Sequence, residues 1–113
     1  MPQKCLIIGL GRIGMSYDLD NASAIFSHSR AISKHPYFEL LGAVDSSSIQ
    51  RSIFQKHYNR PAFNDVASAI KELYPNLVVI ASPTETHLSI FNQVLSQFKP
   101  KTIICEKPLS YDL

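Results

Sequence analysis

An apolar run, Cys5–Ile8, breaks into Gly9-Leu10-Gly11-Arg12-Ile13-Gly14 at the very start of the chain. Such a run fits a buried strand, and three glycines at this spacing fit a tight turn from a strand into a helix. Gly9 permits the turn, Gly11 lets the backbone come close to a ligand, and Gly14 lets the helix pack closely on the strand. A helix entered in this way directs its unpaired N–H groups and the positive end of its dipole outward, the arrangement that receives a phosphate. Glycines alone are weak support. They gain weight when the chain goes on to supply a strand–helix–strand unit and an acidic residue after the second strand.

The rest of the chain reads as that kind of sequence. Strand one covers about Lys4–Ile8. After Gly14, the polar stretch Asp18-Leu19-Asp20-Asn21 interrupts the helical pattern, so an insertion is expected at about Ser16–Ser23. A helix follows from about Ala24 to Lys34 and ends at Pro36. Strand two is Phe38–Val44. Ser46, Ser47 and Ser48 offer N-caps for a helix with Ile49, Ile53, Phe54 and His57 at helical spacing, stopped by Asn59-Arg60-Pro61. A short edge strand is expected at Ala62–Phe63. Asn64 or Asp65 then caps a helix carrying Val66, Ile70 and Leu73, which Pro75-Asn76 breaks.

Strand four, Leu77–Ala81, is continuously apolar, as a strand covered on both faces would be. Thr84 can cap a helix with Leu88, Phe91, Leu95 and Phe98 on one stripe, ended by Lys99-Pro100. Strand five is Thr102–Cys105, and Ser110 offers a further N-cap. Strands alternating with helices through short connections predict an α/β fold with a doubly wound parallel sheet. With right-handed crossovers its order is 3-2-1-4-5, and the ligand crevice lies where the order reverses, at the carboxyl ends of strands one and four.

Bulk properties exclude several classes. The 113 residues, 45% of them hydrophobic, make one domain with a real core the expectation. The formal net charge is +2, with none of the Lys/Arg clustering that a nucleic-acid surface shows. The longest apolar runs are too short to cross a bilayer, and the N-terminus lacks a secretory signal pattern. Cys5 and Cys105 both lie in strand-like runs and read as reduced core thiols of a cytoplasmic protein.

Four groups of residues can carry chemistry. Asp45 closes strand two, where a carboxylate can accept both hydrogens of a ribose diol and repel a 2′-phosphate, which favours NAD over NADP. It lies 31 residues after Gly14 rather than the usual ~20, an excess that the insertion accounts for. Its plain alternative is a helix cap. Arg51 is the nearby cation that would reverse the preference, but it stands a full turn into the helix. The loop Ser82-Pro83-Thr84-Glu85-Thr86-His87 leaves strand four at the crevice. His87, three residues beyond Thr84, reads mainly as a helix-capping imidazole and less as a catalytic one. Glu106-Lys107-Pro108 leaves strand five. A Lys beside a cationic nicotinamide would have its ammonium form disfavoured and can shuttle a proton or donate to a substrate oxygen. By composition alone, the same tripeptide is an exposed charged turn. Tyr17, Asp18 and Asp20 lie in the insertion, as a lid or as a solvated loop. His28, His35 and His57 have no partners at metal-ligand spacing and read as structural or surface residues, so no metal site is expected.

Gly9-Leu10-Gly11-Arg12-Ile13-Gly14, Gly42-Ala43-Val44-Asp45, Ala81-Ser82-Pro83-Thr84-Glu85-Thr86-His87 and Glu106-Lys107-Pro108-Leu109 occur in this order. Together they resemble the N-terminal Rossmann domain of the glucose–fructose oxidoreductase / inositol dehydrogenase / rhizopine catabolism (Gfo/Idh/MocA) family, over nearly the whole chain. The resemblance implies an oxidoreductase that moves a hydride between NAD or NADP and a hydroxyl of a sugar, inositol or related compound. Gly9, Gly11 and Gly14, with Arg12 and Ile13 between them, match the family's pyrophosphate loop. Asp45 matches its adenosine-ribose residue. Ser82, Pro83 and Thr84 match a cofactor-contacting loop, with His87 at its end, although members often have Asn where Thr84 stands. Glu106 and Lys107 match the motif beside the nicotinamide, and the Lys commonly assists catalysis.

The family continues into a sixth strand and a substrate domain that usually supplies an Asp/His pair. Residues 1–113 therefore read as the NAD(P)-binding domain alone, inactive by itself. In the whole enzyme the partner would be a small sugar or polyol, with oligomerisation possible through the missing domain and no nucleic acid or membrane involved. The competing reading is a non-catalytic nucleotide-binding or interaction module. Substrate, direction of reaction and assembly are not legible in these residues.

Overall fold

A computed structural model describes residues 3–11, 15, 28–82, 86–97 and 102–105. The proposed insertion at Ser16–Ser23, including Tyr17, Asp18 and Asp20, lies outside them. Five strands are described: β1 (Gln3–Ile8), β2 (Phe38–Val44), β3 (Ala62–Phe63), β4 (Leu77–Ile80) and β5 (Thr102–Cys105). The helices are α1 (His28–Lys34), α2 (Ser48–Tyr58), α3 (Val66–Leu73) and α4 (His87–Gln97). All strand pairs are parallel, in one sheet of order β3-β2-β1-β4-β5. This is the predicted α/β architecture, with the order reversing between β1 and β4.

β1 is the centre of the molecule, and Cys5, Leu6, Ile7 and Ile8 are all buried. Because side chains alternate along a strand, Cys5 and Ile7 enter one core layer and Leu6 and Ile8 the other. The first layer gathers Leu10, Met15, Ile32 of α1, Phe54 of α2, Leu77 and Val79. The second gathers Val66, Ala69 and Ile70 of α3, Val94 of α4, Val78 and Ile80. Each aliphatic side chain taken out of water in this way contributes about 1.5–3 kcal/mol. The continuous apolar run of β4 follows from the same arrangement, because both of its faces are covered.

The helix ends match their capping signals. Ser47 is the N-cap of α2, its side chain accepting from the Gln50 N–H, and Asn59 closes the helix in the left-handed conformation at φ 55°. Asp65, rather than Asn64, caps α3: Oδ1 accepts from the Ser68 N–H and Oδ2 from the Ser68 hydroxyl. These bonds, chiefly the one from the Ser68 backbone, hold the Asp65 carboxyl below the ordinary carboxylate range. The α3 helix ends one residue before Pro75, on a left-handed Tyr74.

Two helix faces differ from the expected stripes. On α2, Phe54 is fully buried and Tyr58 half-buried against it, with ring centroids 5.2 Å apart, whereas Ile49 is 71% exposed and Ile53 also reaches solvent. The inward stripe is Gln50, Phe54 and Tyr58, spaced four residues apart. On α4, Val94 is buried and Ile90 and Phe91 pack beside it, whereas Leu88 and Leu95 are 49% and 42% exposed. Helical periodicity defines a stripe but not which of two adjacent stripes faces the sheet; the caps and the close packing of α3 and α4 decide that. Phe98 lies outside the described residues. His35 and His57 are exposed and lie against neighbouring aromatic rings, His35 tilted against Phe38 and His57 edge-on to Tyr58. Neither belongs to a functional cluster.

Candidate functional site

The carboxyl ends of β1, β2, β4 and β5 meet on one side of the sheet. Ile8 lies level with Val44 on one flank and with Ile80 on the other, and Ile80 lies level with Cys105. The segments that follow these four positions are those singled out in the sequence.

Gly9 comes first. Its φ is +104°, which side-chain-bearing residues rarely adopt, and a Cβ placed there would lie 2.5 Å from the Ser82 nitrogen and 2.7 Å from the Ala81 carbonyl carbon. Gly9 is therefore the point at which the loop after β1 passes the loop after β4. Its N–H donates to the Val44 carbonyl at 2.8 Å, and the Ala81 N–H donates to the Ile8 carbonyl at 2.7 Å. The turn is thus tied on both sides of β1.

Gly11 is different. It is exposed, and among the described residues a Cβ there would meet nothing within 4 Å. Its lack of a side chain is not required by packing against the described residues, which leave its backbone open to approach. The Met15 N–H returns to the Gly11 carbonyl at 2.9 Å, the spacing of a helical turn, and Met15 is buried in the core. Arg12, Ile13 and Gly14 lie outside the described residues.

Asp45 joins these parts. Its Oδ2 accepts from the Leu10 N–H at 2.8 Å, and its Oδ1 accepts from the Ser47 N–H at 2.8 Å. Its own N–H donates to the Phe63 carbonyl at 3.0 Å. Asp45 is therefore not the cap of α2, because Ser47 fills that place. The carboxylate links the glycine turn to the start of α2, and each oxygen, having accepted one bond, keeps capacity for another acceptor contact. Arg51 is nearer than its helix position suggested. Its side chain folds back along the first turn, and Nη1 donates to the Asp45 carbonyl at 2.8 Å. Gln50, which the sequence reading passed over, donates from Nε2 to the Leu10 carbonyl at 2.5 Å. Its place one turn before Phe54 and two before Tyr58 on the inward stripe was the available signal.

In the β4 loop, Ser82 is half-buried and its hydroxyl accepts from the Thr86 hydroxyl at 2.7 Å. The described α-helix α4 runs from His87, with Thr86 already in a tight helical turn before it, and the expected cap at Thr84 lies outside the described residues. Pro83, Thr84 and the His87 side chain lie outside what is described, as do Glu106 and Lys107 after β5. Among the described residues no group of three or more His, Cys, Asp or Glu is placed to hold a metal, and no helix is long and apolar enough to cross a membrane. A surface cleft of about 390 Å³ between Phe38, Leu40, Tyr58 and Arg60 lies at the opposite, amino-terminal end of β2 and contains none of these residues. Cys5 is a buried free thiol, and burial pushes its pKa up to about 11.

Comparison with known proteins agrees with this geometry. Residues 3–113 match the family model GFO_IDH_MocA, described as an oxidoreductase family with an NAD-binding Rossmann fold. No curated protein sequence matches the chain. Among solved structures, a provisionally named dehydrogenase from Bordetella bronchiseptica RB50 superposes with a TM-score of 0.81 at 29% identity, over 97% of this chain and 26% of that one. Scyllo-inositol dehydrogenase from Lactobacillus casei, with bound NAD(H) and scyllo-inositol, gives 0.76 at 21% identity, over 99% of this chain and 30% of that one. A provisionally named NADPH-dependent oxidoreductase from Desulfitobacterium hafniense DCB-2 gives 0.77 at 24% identity, over 97% and 28%. The chain thus spans less than a third of each of these relatives.

Proposed function

The chain belongs to the Gfo/Idh/MocA oxidoreductase family, and on that premise we propose that it supplies the dinucleotide-binding domain of an enzyme oxidising or reducing a hydroxyl of a sugar or polyol. One observation carries this reading: the Asp45 carboxylate, a ribose-diol acceptor by type and position, is hydrogen-bonded to the Leu10 amide between the first two glycines of the turn. This bond would hold a ribose and a pyrophosphate site in one unit at the point where the strand order reverses.

The residues fit a dinucleotide. Among the described residues, Gly11 leaves a side-chain-sized opening over exposed backbone, which is what close approach of a pyrophosphate needs. Gly9 and Gly11, with Arg12, Ile13 and Gly14 beyond them, would hold the pyrophosphate. Asp45 would take the adenosine ribose, and its charge would disfavour a 2′-phosphate, which makes NAD the expected cofactor and NADP the weaker one. Ser82, Pro83, Thr84 and His87 would line the side of the cofactor facing β4. Glu106 and Lys107 would stand by the nicotinamide, where the Lys107 ammonium would hold or move the proton of the substrate hydroxyl. A bound nicotinamide supplies hydride transfer.

Scyllo-inositol in the Lactobacillus casei relative supports a polyol as the substrate class. In that relative the matched region is under a third of the chain, so substrate contacts and any oligomeric interface would come from the remainder. A cytoplasmic setting goes with this reading and rests on the reduced, buried Cys5. Calorimetric titration of the chain with NAD⁺ and NADP⁺ tests the proposal. NAD⁺ should bind tighter by about tenfold or more. Absence of saturable binding of either would remove the proposal's basis.

A further inference from the structure

Leu10 is buried between Gly9 and Gly11, and its two backbone polar groups are taken up by Asp45, just after β2, and by Gln50, in the first turn of α2. Its N–H donates to Asp45 Oδ2 at 2.8 Å. Its carbonyl accepts from Gln50 Nε2 at 2.5 Å. The second bond has a geometric consequence. The Leu10 carbonyl and the Gly11 N–H belong to one planar trans peptide, in which the two groups point in opposite directions. Drawing the carbonyl towards α2 therefore turns the Gly11 N–H away from α2. Gly11 is exposed and, among the described residues, has no packed neighbour on its side-chain side.

Gln50 is also held in place from below. Gln50, Phe54 and Tyr58 follow one another at helical four-residue spacing, and Phe54 is fully buried against the sheet. Phe54 fixes the rotation of α2 about its own axis. Ser47 fixes where the helix starts, by accepting the Gln50 backbone N–H at 3.3 Å. The Gln50 amide is then aimed by the core of the protein at one carbonyl of the glycine turn.

We propose that Gln50 is a positioning residue for cofactor binding: it sets the Leu10–Gly11 peptide plane so that the Gly11 N–H is presented to the pyrophosphate. The proposal rests on the dinucleotide reading above and adds to it a residue outside the glycine motif and the acidic ribose position. Asp45 and Gln50 divide the work. Asp45 fixes the near side of Leu10 and reads the ribose, while Gln50 fixes the far side and orients a phosphate donor. Gln50 itself does not touch the cofactor.

Two substitutions of nearly equal size test this. Gln50→Glu replaces the donor by an acceptor facing a carbonyl, and Gln50→Met removes the donor while keeping the packing. Binding of NAD⁺ and ADP to the chain is measured by calorimetry and binding of adenosine by NMR titration, with circular dichroism as the check on folding. Both variants should lose about tenfold or more in affinity for NAD⁺ and ADP, keep adenosine affinity within about twofold, and shift the Gly11 amide resonance before any ligand is added. If ADP and adenosine weaken equally, or if neither weakens while wild type binds NAD⁺, Gln50 has no such role and the dinucleotide site stands. If wild type binds neither NAD⁺ nor ADP, the dinucleotide reading falls and the role of Gln50 falls with it.

Discussion

The Asp45 carboxylate accepts the Leu10 amide at 2.8 Å across 35 positions of sequence, so one side chain joins the end of β2 to the turn after β1. A second bond to the Ser47 amide brings in the start of α2. A residue read from sequence as a ligand contact is therefore also a structural joint, and its substitution should show in both binding and stability.

Asp45→Ala should lower NAD⁺ affinity and destabilise the fold together. Two backbone donors lose a charged acceptor, and hydrogen bonds to charged groups contribute about 1.5–3 kcal/mol each, less whatever water recovers at this half-buried site. Parallel calorimetric titration and chemical denaturation measure the two effects. Lost binding with unchanged stability would mean that the hydrogen bonds to Leu10 and Ser47 are energetically idle.

Gly9→Ala and Gly11→Ala should separate folding from binding. At Gly9 the added methyl meets backbone at 2.5 Å and φ is +104°, so strain and overlap together should cost about 2–5 kcal/mol. At Gly11 the methyl meets none of the described residues, so thermal stability should hold while NAD⁺ affinity falls as the methyl occupies the pyrophosphate approach. The melting temperature and Kd of each variant give the comparison; two variants behaving alike would contradict it.

Phe54→Ala should cost about 3–5 kcal/mol, as large-to-small changes in a packed core do, whereas Ile49→Ala should stay within about 0.5 kcal/mol. Urea midpoints decide the point. The two residues stand five apart on the same helix, and their ranking tests the rotation of α2 that also aims Gln50.

The Cys5 thiol is raised to about 11 from an ordinary value of 9.0, because burial disfavours the thiolate. The unfolded chain thus releases this proton at lower pH than the folded one. The stability it contributes is complete below about pH 9 and is lost as pH climbs towards 11. Denaturation of wild type and Cys5→Ala at pH 8, 9.5 and 11 should show a steeper alkaline loss in wild type. Parallel curves would show that the thiol does not titrate in this way.

Much of this architecture was legible in the chain. Apolar runs and their breakers located β1, β2, β4 and β5, and the sheet order followed from handed crossovers. Even the two-residue strand at Ala62–Phe63 and the Ser47 and Asp65 caps were visible, because each rests on local chemistry. What local chemistry leaves open is rotation and reach. Ile49 and Leu88 suit an apolar stripe as well as Phe54 and Val94 do, until packing chooses between them. Arg51 appeared too far along its helix to matter, but its long side chain folds back to Asp45. Gln50 reads as an ordinary surface amide until Phe54 fixes which way α2 faces. Glycine spacing located the turn and Asp45 its acidic partner, but the bonds that join them depend on a tertiary fit with no linear signature.

The placement of β1 bears on how the chain comes into being. Cys5–Ile8 are made well before their partners on one flank, Leu77–Ile80. At ~5–20 residues per second, translation delays that pairing by several seconds or more. Until then the central strand has only β2 to pair with, and β2 itself arrives only after the segment between Gly14 and Phe38. Contacts so distant in sequence slow folding of the finished chain as well. Of the described strands, the one at the centre of the sheet thus waits longest for its second partner during synthesis.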